Sequence, residues 1–120
     1  MEYVLLIYGD ESAGADAQEQ EAMFREYGRF TQELRESGAM VGGRPLEASA
    51  TATTVRVRNG KRSVTDGPYA ETKEQLGGFY IVEAAGLDEA LEWAAKIPGA
   101  RRGKIEVRPV LPIPEEAMQP

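Results

Sequence analysis

Residues 3–8 (YVLLIY) are apolar at every position, rich in β-forming types, and end at Gly9-Asp10. That pattern predicts a strand buried on both faces. Residues 16–37 carry a different period. Met23, Tyr27, Phe30 and Leu34 recur at spacings of four, three and four, the apolar stripe of an amphipathic helix, and Phe24 and Thr31 widen it. Asp16 with Glu19 three residues later has the form of a capping box, and Gly38 stands where a left-handed residue would stop the helix. Glu21–Arg25 and Arg29–Glu33 are spaced for i,i+4 pairing on its wet side.

Residues 39–43 predict a short second strand bent at Gly42-Gly43. Residues 52–58 alternate, with Thr53, Val55 and Val57 on one side and Thr54, Arg56 and Arg58 on the other. Asn59-Gly60 follows, the pair a type I′ hairpin turn prefers, and residues 61–65 form the returning strand. Residues 66–78 (DGPYAETKEQLGG) predict a loop. Residues 79–85 (FYIVEAA) predict a second nearly all-apolar strand. Residues 87–97 predict a helix with Leu87, Ala90, Leu91 and Ala94 on one face, ended by Pro98-Gly99. Residues 104–110 alternate as a last strand. The expected organisation is one domain over residues 1–110, then an extended, Pro-rich tail over 111–120.

The element order is β-α-β, a hairpin, then β-α-β. That is the plan of an α+β, ferredoxin-like split βαβ fold with a β-hairpin inserted in its middle. Two helices cover only one face of such a sheet, yet residues 3–8 are apolar on both. An uncovered face of that kind exceeds what a soluble monomer usually exposes. A second copy of the chain is the simplest cover, giving a homodimer. The inserted hairpin folding over the same face is the alternative.

Composition narrows the chemistry. The chain has 120 residues, 42% hydrophobic and 28% charged, in the ordinary globular range. It has no cysteine and no histidine, which removes thiolate nucleophiles, imidazole bases and the commonest transition-metal ligands together. No cofactor or metal is expected. Net charge is −6, which argues against a nucleic-acid partner; the short basic spots (Arg56, Arg58, Lys61, Arg62; Arg101, Arg102, Lys104) read as solvated strand ends. No apolar run is long enough to span a membrane, and the first residues lack a secretory pattern, so a cytoplasmic protein without a membrane partner is expected.

Candidate chemistry centres on the loop. Asp66-Gly67-Pro68 is turn chemistry, with the Asp66 carboxylate expected to accept hydrogen bonds from nearby backbone N–H groups. Tyr69, Glu71, Lys73 and Glu74 follow within a few residues and could orient one another or hold a polar ligand; solvated surface charges would look the same. Asp66 is the candidate catalytic position. Tyr8, at a central strand's end, and Arg44, after the two glycines, are candidate ligand contacts. Trp93 could stack on a ligand or simply pack.

The segment VTDGPYAETKEQLGGFYIVEA, residues 64–84, resembles the signature of the YCII-related proteins of the DGPF type, whose hallmark reads close to DGPFAETKE. Tyr69 stands for the usual Phe. YVLLIYGDE, TATTVRVRNGK, LDEALEWAAKIP and KIEVRPV extend the similarity to Val110. The resemblance implies a dimeric α+β barrel in bacterial cytoplasm, with some members found alongside extracytoplasmic-function sigma factors. Some shorter relatives are enzymes thought to pair a first-helix histidine with an aspartate. The histidine position falls near Tyr27 here, and the expected Asp-Pro is Ile97-Pro98, so that dyad is missing. Three functions follow: a dimer that binds a small polar molecule or regulates without turnover; a histidine-independent lyase or isomerase with Asp66 or Glu71 as base, Tyr27 or Tyr69 as donor and Lys73 or Arg44 holding the substrate; and a protein-interaction module using the tail or the charged loop.

Overall fold

The computed structural model describes residues 1–118. Its main sheet has four antiparallel strands in the order β2-β5-β1-β6, and β3 with β4 forms a separate two-stranded sheet. The strands are β1 (Glu2–Gly9), β2 (Met40–Pro45), β3 (Thr53–Arg58), β4 (Lys61–Asp66), β5 (Gln75–Glu83) and β6 (Lys104–Pro109); the helices are α1 (Ala17–Glu36) and α2 (Leu87–Lys96). The two all-apolar segments lie at the sheet centre, as a ferredoxin-like split βαβ requires.

Local chemistry sets the element ends. The Asp16 carboxylate accepts a hydrogen bond from the Glu19 amide at 2.8 Å, satisfying one of the N–H groups that open α1. Gly38 takes φ 83° just beyond the helix. Asn59 at φ 53° and Gly60 at φ 75° give the hairpin turn its two positive φ values.

The core lies between the helices and one sheet face. Tyr3 and Leu5 from β1, Tyr80 and Val82 from β5, Phe30 and Leu34 from α1, and Ala90, Ala94 and Ile97 from the α2 region are all buried. Phe30 meets the Tyr80 ring edge-on at 5.1 Å and the Trp93 ring at 6.2 Å. The Thr31 and Tyr80 hydroxyls satisfy one another at 2.7 Å inside this layer.

Several expectations change. Phe24 does not widen the buried stripe; it is 74% exposed. In α2, Ala90 and Ala94 are buried, but Leu87 and Leu91 are not, and Trp93 with Ile97 fills the space against α1 instead. Glu33 pairs with Lys96 of α2 at 2.9 Å rather than with Arg29, while Glu21–Arg25 forms as its spacing predicts. β5 begins at Gln75, four residues before the apolar run, because pairing of Tyr8 and Gly9 with Leu76 and Gln75 extends it backwards. Two of its first four residues are glycine, which erases any alternation there. Glu115–Met118 forms a 3₁₀ turn in the segment expected to be extended. Gln119 and Pro120, the end of the expected tail, lie outside the described residues.

The hairpin does not cover the open sheet face. Nearly every residue of β3 and β4 is exposed, on both sides of the ribbon. No helix among the described residues is long and apolar enough to cross a membrane.

Candidate functional site

Strand register assigns the helix-free face. Val4 lies opposite Ile81, and Leu6 lies between Phe79 and Glu106. Arg44 pairs with Phe79 on the other side, and Arg108 pairs with Val4. Opposed residues share a face, so Val4, Leu6, Phe79 and Ile81 form an apolar centre flanked by Arg44, Glu106 and Arg108. All four apolar residues are only half-buried.

Tyr8 continues this face towards the sheet end where β1 stops and β5 and β6 begin. It lies opposite Lys104, whose ammonium bonds the Glu74 carboxylate. Glu74 is half-buried there. The loop before β5 is tied down around it. The Glu11 amide donates to the Gln75 side-chain oxygen at 2.9 Å, and Gln75 donates to the Thr72 carbonyl. Glu11 in turn accepts from the Ser49 amide and hydroxyl, both at 2.7 Å. Asp10, Glu11, Ser12, Thr72, Lys73 and Gln75 line a shallow depression. The Asp10 carboxyl is held below the usual carboxylate range, first by the Ser12 hydroxyl and then by the Ser12 amide.

The structure therefore divides the sequence candidates. Tyr8, Lys73 and Glu74 gather at one end of the sheet, with Arg44 on the open face nearby in β2. Tyr69 and Glu71 stand in solvent, Tyr69 at 91% exposure. Asp66 closes β4, exposed and paired in register with Thr53. The turn expected to rest on its carboxylate is held otherwise. The Gly67 amide donates to the Ala52 carbonyl at 2.7 Å, and the Thr54 hydroxyl donates to the Gly67 carbonyl at 2.8 Å. Asp66 ends the ladder opposite Thr53, and these two bonds hold the chain just beyond it without its carboxylate.

Tyr27 lies apart from all of these, inside the helix–sheet layer. Its hydroxyl accepts from the Gly99 amide at 3.1 Å. Burial pushes its pKa up, outweighing the opposing pull of that bond. The segment expected to carry Asp-Pro in the shorter enzymes is Ile97-Pro98, directly before that amide, and Ile97 is fully buried. Fold geometry thus brings the first helix to this segment, but it meets through a tyrosine and a backbone group. Trp93 is a packing residue: it abuts Phe30, and the Lys96 ammonium lies 4.9 Å from its ring centre.

Asp10, Glu11, Ser12 and Gln75 carry no candidate role in the sequence, and Lys104 reads there only as a solvated strand end. GDES directly after a central strand is the signal that could have drawn attention to the first three.

Residues 1–114 match the model of the YCII-related domain. The chain belongs to the YCII-related family. It is 39% identical over 114 residues to an uncharacterized protein of Rhizobium meliloti (strain 1021), with 92% of each chain covered. The loop carrying DGPYAETKE is thus part of a YCII-related domain, consistent with the DGPF type of that family.

Proposed function

We propose that this YCII-related protein is a bacterial cytoplasmic homodimer that closes its two open sheet faces on each other as an α+β barrel, and that it binds a small polar molecule, in a binding or regulatory role without turnover. The observation that carries this is the open face itself. Val4, Leu6, Phe79 and Ile81 are contiguous by register, and neither the helices nor the hairpin of the same chain covers them. A two-fold contact would remove that face from water on both copies at once.

Charged and hydroxyl groups border the apolar centre. The Arg44 guanidinium uses one N–H on its own Gly43 carbonyl and keeps further donors for a ligand's acid group. Tyr8, Lys104 and Glu74 stand at the sheet end, where the mouth of a paired barrel would lie. Exposure of Asp66 and Glu71 favours binding over acid–base turnover, because nothing around them restrains a base against a substrate.

Sedimentation equilibrium tests assembly. A dimer at micromolar concentration, split by Leu6→Asp with the fold retained, is expected. A wild-type monomer at that concentration overturns the reading. Thermal-shift screening with small carboxylic acids and phosphates tests the ligand: stabilisation lost in Arg44→Ala is expected, and no stabilisation by any of them removes the binding role.

A further inference from the structure

Beyond the sheet face, the β3–β4 hairpin has an apolar side with no cover of its own. Val55 lies directly opposite Val64, and Val57 is opposite Arg62 on the same side. The three valines are 56%, 54% and 58% exposed in that order. The other side carries Thr54, Arg56, Arg58, Lys61, Ser63 and Thr65 with no apolar residue, while the valine side also carries Thr53 and Asp66 at the base and Arg62 near the tip. Hydrogen bonds of the Thr54–Gly67 turn hold the hairpin at its base. A two-stranded ribbon alone is marginally stable in water, so three exposed valines on one side of it are a surface suited to a partner.

Charge selects the partner. Arg56, Arg58, Lys61 and Arg62 cluster around the hairpin turn, and none forms an ion pair among the described residues. Yet the whole chain has a net charge of −6, so the body that carries this basic tip is strongly acidic. A second copy of the same chain presents that acidic body to the tip, together with an uncovered apolar sheet face. Nucleic acid would meet the tip but be repelled by the body.

We infer that the β3–β4 hairpin is an arm that lies on a second copy of this chain, valines against its apolar surface and tip cations against its acidic one. This rests on the homodimer reading and adds a second contact region to it. Two-fold symmetry makes the exchange reciprocal, each copy giving one arm and receiving one.

The test uses the full chain. Val55→Thr, Val57→Thr and Val64→Thr are made together, keeping shape and β-propensity while removing the dry side. Sedimentation equilibrium should show the dimer Kd raised by at least about tenfold. Raising the salt concentration should weaken the wild-type dimer, because the tip contacts are exposed. A Kd unchanged in the triple variant, while Leu6→Asp still splits the dimer, overturns the arm and leaves the homodimer standing. A wild-type monomer overturns both. Binding of a short DNA duplex through the arm, with the dimer Kd unchanged, also overturns it. As a second readout, Val57→Cys carries a spin label on the valine side of the arm of a chain with no other cysteine. The label should be restrained in the dimer and freed on dilution to monomer; a label equally mobile in both states overturns the arm.

Discussion

The Tyr27 hydroxyl accepts the Gly99 amide at 3.1 Å, tying the middle of α1 to the turn that follows α2. A side chain that reads from sequence as a candidate proton donor is instead a strut between two segments 72 residues apart. Removing its oxygen leaves a part-buried N–H without a partner. Tyr27→Phe should destabilise the fold by about 1–3 kcal/mol, measured by urea denaturation.

The same contact gives an alkaline signature. Burial raises the Tyr27 pKa in the folded state, so the folded protein holds this proton more tightly than the unfolded chain. Its contribution to stability is complete below the ordinary tyrosine pKa and is lost as pH rises through the raised value. Wild-type stability should fall in that alkaline range more steeply than that of Tyr27→Phe. Parallel slopes in denaturation series above the ordinary tyrosine pKa would refute this.

Gly99 is small because Tyr27 is close. A Cβ there would stand 2.6 Å from the Tyr27 hydroxyl oxygen and 3.1 Å from the Ile7 side chain. Gly99→Ala should cost about 1–3 kcal/mol through overpacking. Combined with Tyr27→Phe, which deletes the nearer atom, the total should fall short of the sum, a coupling a double-mutant cycle measures.

Two substitutions at the hairpin base separate its supports. Asp66→Ala should change stability by no more than about 0.5 kcal/mol, as for an exposed side chain with no hydrogen bond. Thr54→Val should cost about 1 kcal/mol, because the Thr54 hydroxyl holds the Gly67 carbonyl. Thermal denaturation of both variants gives the order; a larger loss for Asp66→Ala would restore the carboxylate as the turn's anchor.

Acid should loosen the β1 exit. The Asp10 pKa is depressed by its bonds to Ser12, so the stabilisation is present above the ordinary aspartate pKa and is lost as pH falls through the lowered value. The exchange protection factors of the Ser12 and Ala13 amides, taken against the intrinsic rate at each pH by NMR, should fall below the ordinary aspartate range. In Asp10→Ala those protection factors should be low throughout, with no such dependence.

Sequence alone determined the pieces whose cause is local. The dense apolar run at residues 3–8 specified a central strand because a short β-rich run, apolar at every position, belongs between two neighbouring strands, here β5 and β6. Asp16, Gly38 and Asn59-Gly60 set their boundaries through their own side chains and dihedral preferences. The DGPYAETKE segment marked the family, and the absence of histidine and cysteine narrowed its chemistry. Tertiary structure decided everything that depended on which surfaces meet. Glu33 took Lys96 over Arg29 because α2 brings its ammonium within reach. Trp93 meets Phe30 and Ile97 is fully buried, while Leu91, on the helical stripe read from sequence, stays exposed. Tyr8 met Lys104, and Tyr27 met Gly99, across distances no spacing rule encodes. A residue's local preferences act through neighbours in the chain, whereas a site is assembled from residues whose only connection is the packing of the elements that carry them.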